Sequence, residues 1–153
     1  FDDKHSLLQN TLKRIASIKD MAKPIIVCSE AQRFTVLEQV EKIGCDIEAI
    51  IVEPEGRNTA PSIALATLYS LKIDSNPLLF IFPSDHFIEN EQEFSSSIEQ
   101  LYKTGITGRI TTLGIKPHSA DTGYGYIKIG KTLDKDLYNV IEFTEKPSKS
   151  VAE

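Results

Sequence analysis

Apolar residues in the first two-thirds of the chain switch repeatedly between helical spacing and short unbroken runs. Ser6-Leu7-Leu8-Gln9 has the spacing of a capping box, and Leu8, Leu12 and Ile15 follow at helical intervals, which predicts an amphipathic helix over 6–18. Ser29 and Gln32 repeat that box ahead of Val36, Val40 and Ile43, with Gly44 where a helix stops in a left-handed residue. Between the two helices, the unbroken run from Pro24 to Cys28 reads as a strand buried on both faces. Strands over 46–53 and 78–82 and helices over 59–73 and 90–104 continue the series. The last helix is marked by the Asn90 cap, the stripe Phe94, Ile98, Leu101 and the terminal Gly105. This β-α-β-α order predicts an α/β fold with right-handed crossovers, a mainly parallel sheet and helices on both faces. From Arg109 the texture changes to β-like segments, ITTLGIK, GYGYIKIG and LYNVIEFTEK, which predict a mixed or antiparallel extension at one edge. No repeat or linker interrupts the 153 residues, so one domain is expected.

Composition narrows the class. With 17 basic against 22 acidic residues the net charge is -5, and no basic cluster with interleaved aromatics occurs, which disfavours a nucleic-acid partner. No apolar run reaches the length of a membrane span, and the charged start FDDKH is unlike a signal peptide, so a cytoplasmic protein is expected. Cys28 and Cys45 read as two reduced, strand-associated thiols rather than a disulfide framework. The chain opens on Phe1 and closes at SVAE, and both ends read as cut.

In a parallel sheet of this kind ligands bind at the carboxyl ends of the strands, which selects Ser29, Glu53 with the residues after it, and Pro83-Ser84-Asp85-His86. The turn from Glu53 to Pro61 presents backbone amides at a helix start, suited to an anion or a polar base edge. A carboxylate there could accept from guanine N1-H and N2-H2, and Glu53 is the candidate. Alternatively, Glu53 or Glu55 favours the helix dipole and Asn58 or Thr59 is a cap. Asp85 is the only carboxylate in FPSDH; it is either a hard oxygen ligand for Mg2+ on a bound triphosphate or the cap of a turn. His86 and His118 read as structural or solvated, and His5 carries no signal. Gly123-Tyr124-Gly125-Tyr126-Ile127 combines glycines that permit close approach with tyrosines that could border a sugar, and it equally suits a twisted edge strand. In Glu145-Lys146-Pro147 a carboxylate can take two sugar hydroxyls and an ammonium can face a sugar phosphate, provided the strand ends or bends there; otherwise they are a solvated charge pair.

EPEGRNTAP at 53–61, FPSDH at 82–86, GYGYI at 123–127 and FTEKP at 143–147, in that order, resemble the mannose-1-phosphate guanylyltransferases. The resemblance spans nearly the whole chain and implies a Rossmann-like nucleotidyltransferase fold, of which 1–153 would be part of the domain. It implies that Asp85 binds catalytic Mg2+, that Glu53, Arg57, Asn58 and Thr59 lie by the nucleotide, and that Gly125, Glu145 and Lys146 line the sugar phosphate. Asp85 and Lys146 are then the catalytic candidates. The family's glycine-rich phosphate loop belongs upstream of Phe1 and a second metal-binding Asp beyond Glu153, so the isolated chain is expected to be inactive.

The implied reaction is in-line attack by the mannose 1-phosphate oxygen on the α-phosphorus of GTP, releasing pyrophosphate and giving GDP-mannose for polysaccharide synthesis. GTP, mannose 1-phosphate and GDP-mannose are the expected ligands, and a second copy of the chain is a candidate partner. Two alternatives stay open: a related sugar-1-phosphate nucleotidyltransferase with another base or sugar, and a non-catalytic regulatory subunit that binds GDP-mannose.

Overall fold

The computed structural model describes residues 4–153 and divides into two compact units, one running to Ile110 and a second comprising Thr111–Glu153. In the first unit, α1 (Leu7–Ala16) begins at the expected capping box. Gln9 N donates to Ser6 Oγ at 3.1 Å, and the Gln9 side chain accepts from Ser6 N at 3.0 Å. Gln9 is buried, and its Nε2 donates to the Gln39 carbonyl on the next helix at 2.9 Å.

Strand β1 (Ile25–Ser29) leads through a 3-10 turn (Glu30–Gln32) into α2 (Arg33–Ile43). Here the expected second capping box does not form. The intervening turn displaces the helix start, so Ser29 Oγ bonds the Gln32 side chain at 3.1 Å instead of a helix amide. Gly44 does stop α2 in the left-handed region, at φ 60°. Its N-H donates to the Glu41 carbonyl and that of Cys45 to Val40, the paired bonds of a Schellman ending.

Strand β2 (Ala49–Glu53) pairs in parallel with β1, running in register from Ile25 opposite Ala49 to Ser29 opposite Glu53. The core lies where Leu12 and Ile15 of α1 and Val36 and Val40 of α2 close over Cys28, edged by Ile26, Ile50 and Phe82. Each aliphatic side chain so buried contributes about 1.5–3 kcal/mol. Helix α3 (Thr59–Ser70) lies along both strands. The strands are only half covered, Cys28 alone among their residues being buried. Two paired strands leave each with an open edge, which the apolar run did not disclose.

Residues 78–82 carry no strand pairing among the described residues, against expectation. The Phe80 and Phe82 rings stack at 6.3 Å and 8°, which puts these alternate side chains on one side of the segment. Phe82 packs on the core, so the apolar signal reports burial rather than a ladder. Helix α4 (Glu91–Gly105) starts at Asn90, whose side chain accepts from Glu93 N at 3.1 Å. A Cβ on Gly105 would stand 2.9 Å from Leu78 Cδ1, so this glycine admits the 78–82 segment.

The second unit is an antiparallel hairpin, β3 (Gly125–Asp134) and β4 (Leu137–Glu145), followed by a short helix α5 (Lys149–Ala152). No strand forms over 109–116, where one was expected. The parallel pair with its helices makes the chain an α/β protein.

Candidate functional site

The register of β1 and β2 ends Ser29 and Glu53 side by side. Glu53 is half-buried, and Ser62, in the first turns of α3, places its Oγ 2.8 Å from Glu53 Oε1 and 3.2 Å from the Asn58 carbonyl. A hydroxyl has one proton, so Ser62 serves one of these acceptors at a time. Nothing in the sequence singles out Ser62; only the folding of α3 back beside the strand end brings positions 53 and 62 together.

Between them the chain makes a strained turn. Asn58 sits at φ 65° and ψ -167°, and its side chain makes no capping hydrogen bond although it occupies the cap position of α3. This region is essentially reserved for glycine and costs another residue about 1–3 kcal/mol. The amides of Thr59 and Ala60 therefore start the helix with no side-chain acceptor. Arg57 and Glu55 form an exposed pair at 2.7 Å, which contributes little to stability. Glu53, Pro54, Glu55 and Pro61 border an open pocket of about 370 Å³ whose floor is Ala64, Leu65 and Leu68. A second opening of about 370 Å³, between α1 and α2, is lined by Lys4, His5, Gln9 and Gln39 and includes none of the motif residues. The first, beside the strand ends, is the better placed for a ligand.

Asp85 is exposed in the tight turn after Phe82. Among the described residues no three His, Cys, Asp or Glu side chains gather as a metal cluster. The turn is held from behind by Arg14, which no sequence motif singles out: its Nη2 donates to the His86 carbonyl at 3.3 Å. An arginine at a buried position of a helical stripe is the signal that could have found it.

In the second unit, Gly125 pairs directly opposite Glu145. A Cβ on Gly125 would collide with the Phe143 ring and stand 2.8 Å from Glu145 Oε2, so glycine is needed for both side chains to lie where they do. The strand ends at Glu145 and bends at Lys146, which adopts φ 46° and donates its backbone N-H to the Tyr124 carbonyl at 3.1 Å. A residue before proline is disfavoured in helical regions generally, and a left-handed lysine there is doubly costly. Gly125, Glu145 and Lys146 thus share one corner, with both charged side chains exposed and Pro147 buried behind them. Tyr126 is not available to border a ligand through its hydroxyl, which accepts from Asp121 N at 2.9 Å and lies 3.0 Å from the Asp121 carbonyl.

Both cysteines are free thiols. Burial pushes each above the ordinary thiol range, for Cys28 with the help of the Glu30 and Glu53 charges, so neither favours the thiolate that nucleophilic catalysis requires.

The profile of the nucleotidyl transferase family matches residues 1–153. The chain belongs to that family. It is 42% identical over 153 residues to the mannose-1-phosphate guanylyltransferase RfbM of Salmonella typhimurium, covering 99% of this chain and 32% of that protein. It is 41% identical over 149 residues to the xanthan biosynthesis protein XanB of Xanthomonas campestris, covering 97% and 31%. The chain thus spans about a third of the length of these curated relatives (32% and 31%). Among solved structures, mannose-6-phosphate isomerase from Helicobacter pylori superposes with a TM-score of 0.85 at 32% identity, over 99% of this chain and 56% of that one. Mannose-1-phosphate geranyltransferase from Thermus thermophilus gives 0.80 at 27%, over 95% and 42%. The Rossmann-like nucleotidyltransferase fold expected of the chain is therefore its fold.

Proposed function

We propose that the protein containing this chain is a mannose-1-phosphate guanylyltransferase, transferring GMP from GTP to mannose 1-phosphate to give GDP-mannose and pyrophosphate for polysaccharide synthesis. The reading rests above all on the 42% identity with such an enzyme, in an alignment that takes in all four motif segments. The geometry adds support, because backbone strain falls at Asn58 and Lys146, inside two of those segments. In this reading Glu53 accepts from the guanine edge while Ser62 steadies its carboxylate, and Arg57, Asn58 and Thr59 border the nucleotide. Gly125, Glu145 and Lys146 take the sugar phosphate, Glu145 through hydroxyls and Lys146 through the phosphate.

The donor set suits Mg2+. A single exposed carboxylate, Asp85, without further protein ligands around it matches a cation that takes one or two protein carboxylates and completes its shell with phosphates and water. When bound, Mg2+ supplies charge neutralisation on the triphosphate. Lys146 would neutralise the attacking phosphate, and the remaining contribution is alignment of the two substrates for in-line displacement, with no covalent intermediate. The reading includes a cytoplasmic location, and no helix among the described residues is long and apolar enough to cross a membrane.

The test is product formation by the full-length protein given Mg2+ and each pairing of GTP, ATP, UTP or dTTP with mannose 1-phosphate or glucose 1-phosphate. GDP-mannose and pyrophosphate should dominate. Tight GDP-mannose binding without pyrophosphate exchange would identify a regulatory subunit instead, and preference for another pair would identify a different transferase of the family.

A further inference from the structure

Arg14 is the only charged side chain among the described residues that is buried, at 5% exposure. Its guanidinium lies where three segments meet. Nη2 donates to Thr11 Oγ1 on α1 at 3.0 Å and to the His86 carbonyl at 3.3 Å. Its central carbon stands 5.4 Å from the centre of the Phe94 ring on α4, and that ring tilts against Phe82 at 5.9 Å and 55°. Arg14 therefore holds the chain on both sides of Asp85, directly at His86 and through Phe94 at Phe82.

Stability alone does not account for an arginine at this position. Its Nε is buried with no hydrogen-bond partner among the described residues, which costs free energy. Burial lowers the Arg14 pKa, and the Glu91 carboxylate, acting through space, offsets only part of that effect. A leucine or methionine would fill the volume without either cost. Neither could donate to the His86 carbonyl.

We infer that Arg14 is a positioning residue that fixes the Pro83 to His86 turn and so aims Asp85 at a metal-bound triphosphate, an inference that rests on the proposed Mg2+ role of Asp85. The test uses the full-length protein with Arg14→Lys and Arg14→Met. Lysine keeps the charge but lacks the planar fork that reaches two acceptors while lying over a ring. Without metal or nucleotide, Arg14→Lys is expected to lower the backbone NMR order parameters over 84–87 while leaving those of 25–29, and amide hydrogen exchange of α1 and β1, unchanged. In calorimetry of GTP binding it should raise the Mg2+ concentration needed for half-saturation by about tenfold, with mannose 1-phosphate affinity held within about twofold.

Faster exchange throughout α1 and β1 with an unchanged Mg2+ requirement would overturn the inference and leave Arg14 as packing. Asp85→Asn separates the two layers. If it raises the Mg2+ requirement and Arg14→Lys does not, this inference fails and the metal assignment stands. If Asp85→Asn leaves the requirement untouched, the assignment fails and the inference with it. Should Arg14→Met not fold, Arg14→Lys alone decides.

Discussion

Asn58 sits at φ 65° and ψ -167°, with no capping bond from its side chain, so replacing it with glycine isolates the backbone strain from the chemistry. Relief of the strain should stabilise the fold by about 1–3 kcal/mol, and the greater freedom of an unfolded glycine should cost about 0.4–1 kcal/mol. The net expectation for Asn58→Gly in the full-length protein is a gain of about 1 kcal/mol, seen as a rise in melting temperature of about 2–4 °C for a domain of this size. Asn58→Ala is the control: alanine cannot relieve a positive φ, so it should be destabilising. GTP affinity, measured by calorimetry on the same preparations, should fall about tenfold in both variants if the asparagine side chain borders the nucleotide. A more stable, weaker-binding Asn58→Gly is thus the signature of strain retained for binding. Loss of stability on Asn58→Gly would refute the strain argument, since an interaction of the side chain would then outweigh the backbone cost. Unchanged GTP affinity would remove Asn58 from the nucleotide site.

Glu53→Gln keeps size but turns half of the terminus into a donor, and loss of one charged hydrogen bond worth about 1.5–3 kcal/mol should cut the preference for GTP over ATP by roughly tenfold to a hundredfold. Steady-state kinetics with GTP, ITP and ATP checks this, and an untouched ratio would leave Glu53 as a turn residue. Lys146→Ala should raise the Michaelis constant for mannose 1-phosphate far more than that for GTP, and equal effects would place Lys146 elsewhere. Gly125→Ala puts a Cβ 2.8 Å from Glu145 Oε2 and into the Phe143 ring. Because Phe143 is exposed and can move, a stability loss of only about 1 kcal/mol is expected, alongside a weakened mannose 1-phosphate site; an unchanged Michaelis constant would mean that the Glu145 position is immaterial.

What the sequence discloses here is what local spacing encodes. The Ser6 and Asn90 caps, the left-handed Gly44 and the stripe Leu8, Leu12, Ile15 each depend on neighbours within a turn or two, and the structure realises them. Failures arise where the outcome depends on distant partners. The run 78–82 is as apolar as a strand, but a strand needs a paired neighbour, which composition does not reveal. Ser29 and Gln32 have capping-box spacing, yet a 3-10 turn that includes Gln32 separates Ser29 from the helix. For the site, the motif residues could be read off as segments, whereas the contacts of Ser62 and Arg14 could not. Their partners lie 9 and 72 positions away, reached through the path of α3 and the packing of α1 against the Asp85 turn.

Four non-glycine residues among those described have positive φ: Asp20, Asn58, Asp136 and Lys146. The two aspartates sit in turns and belong to the residue type that tolerates the left-handed region through local hydrogen bonds. Asn58 and Lys146 have no such excuse. The first lies in a region beyond the left-handed well, and the second is a long side chain directly before a proline. Selection for stability alone would replace the first with glycine and straighten the second, because each costs free energy that the fold must recover elsewhere. Their presence in two different units, Asn58 in the turn between β2 and α3 and Lys146 directly after β4, is best explained by what the bends do to side chains. At Asn58 the turn leaves the start of α3 without a side-chain cap; at Lys146 the bend releases that residue from the alternation by which an unbent strand would send it to the face opposite Glu145.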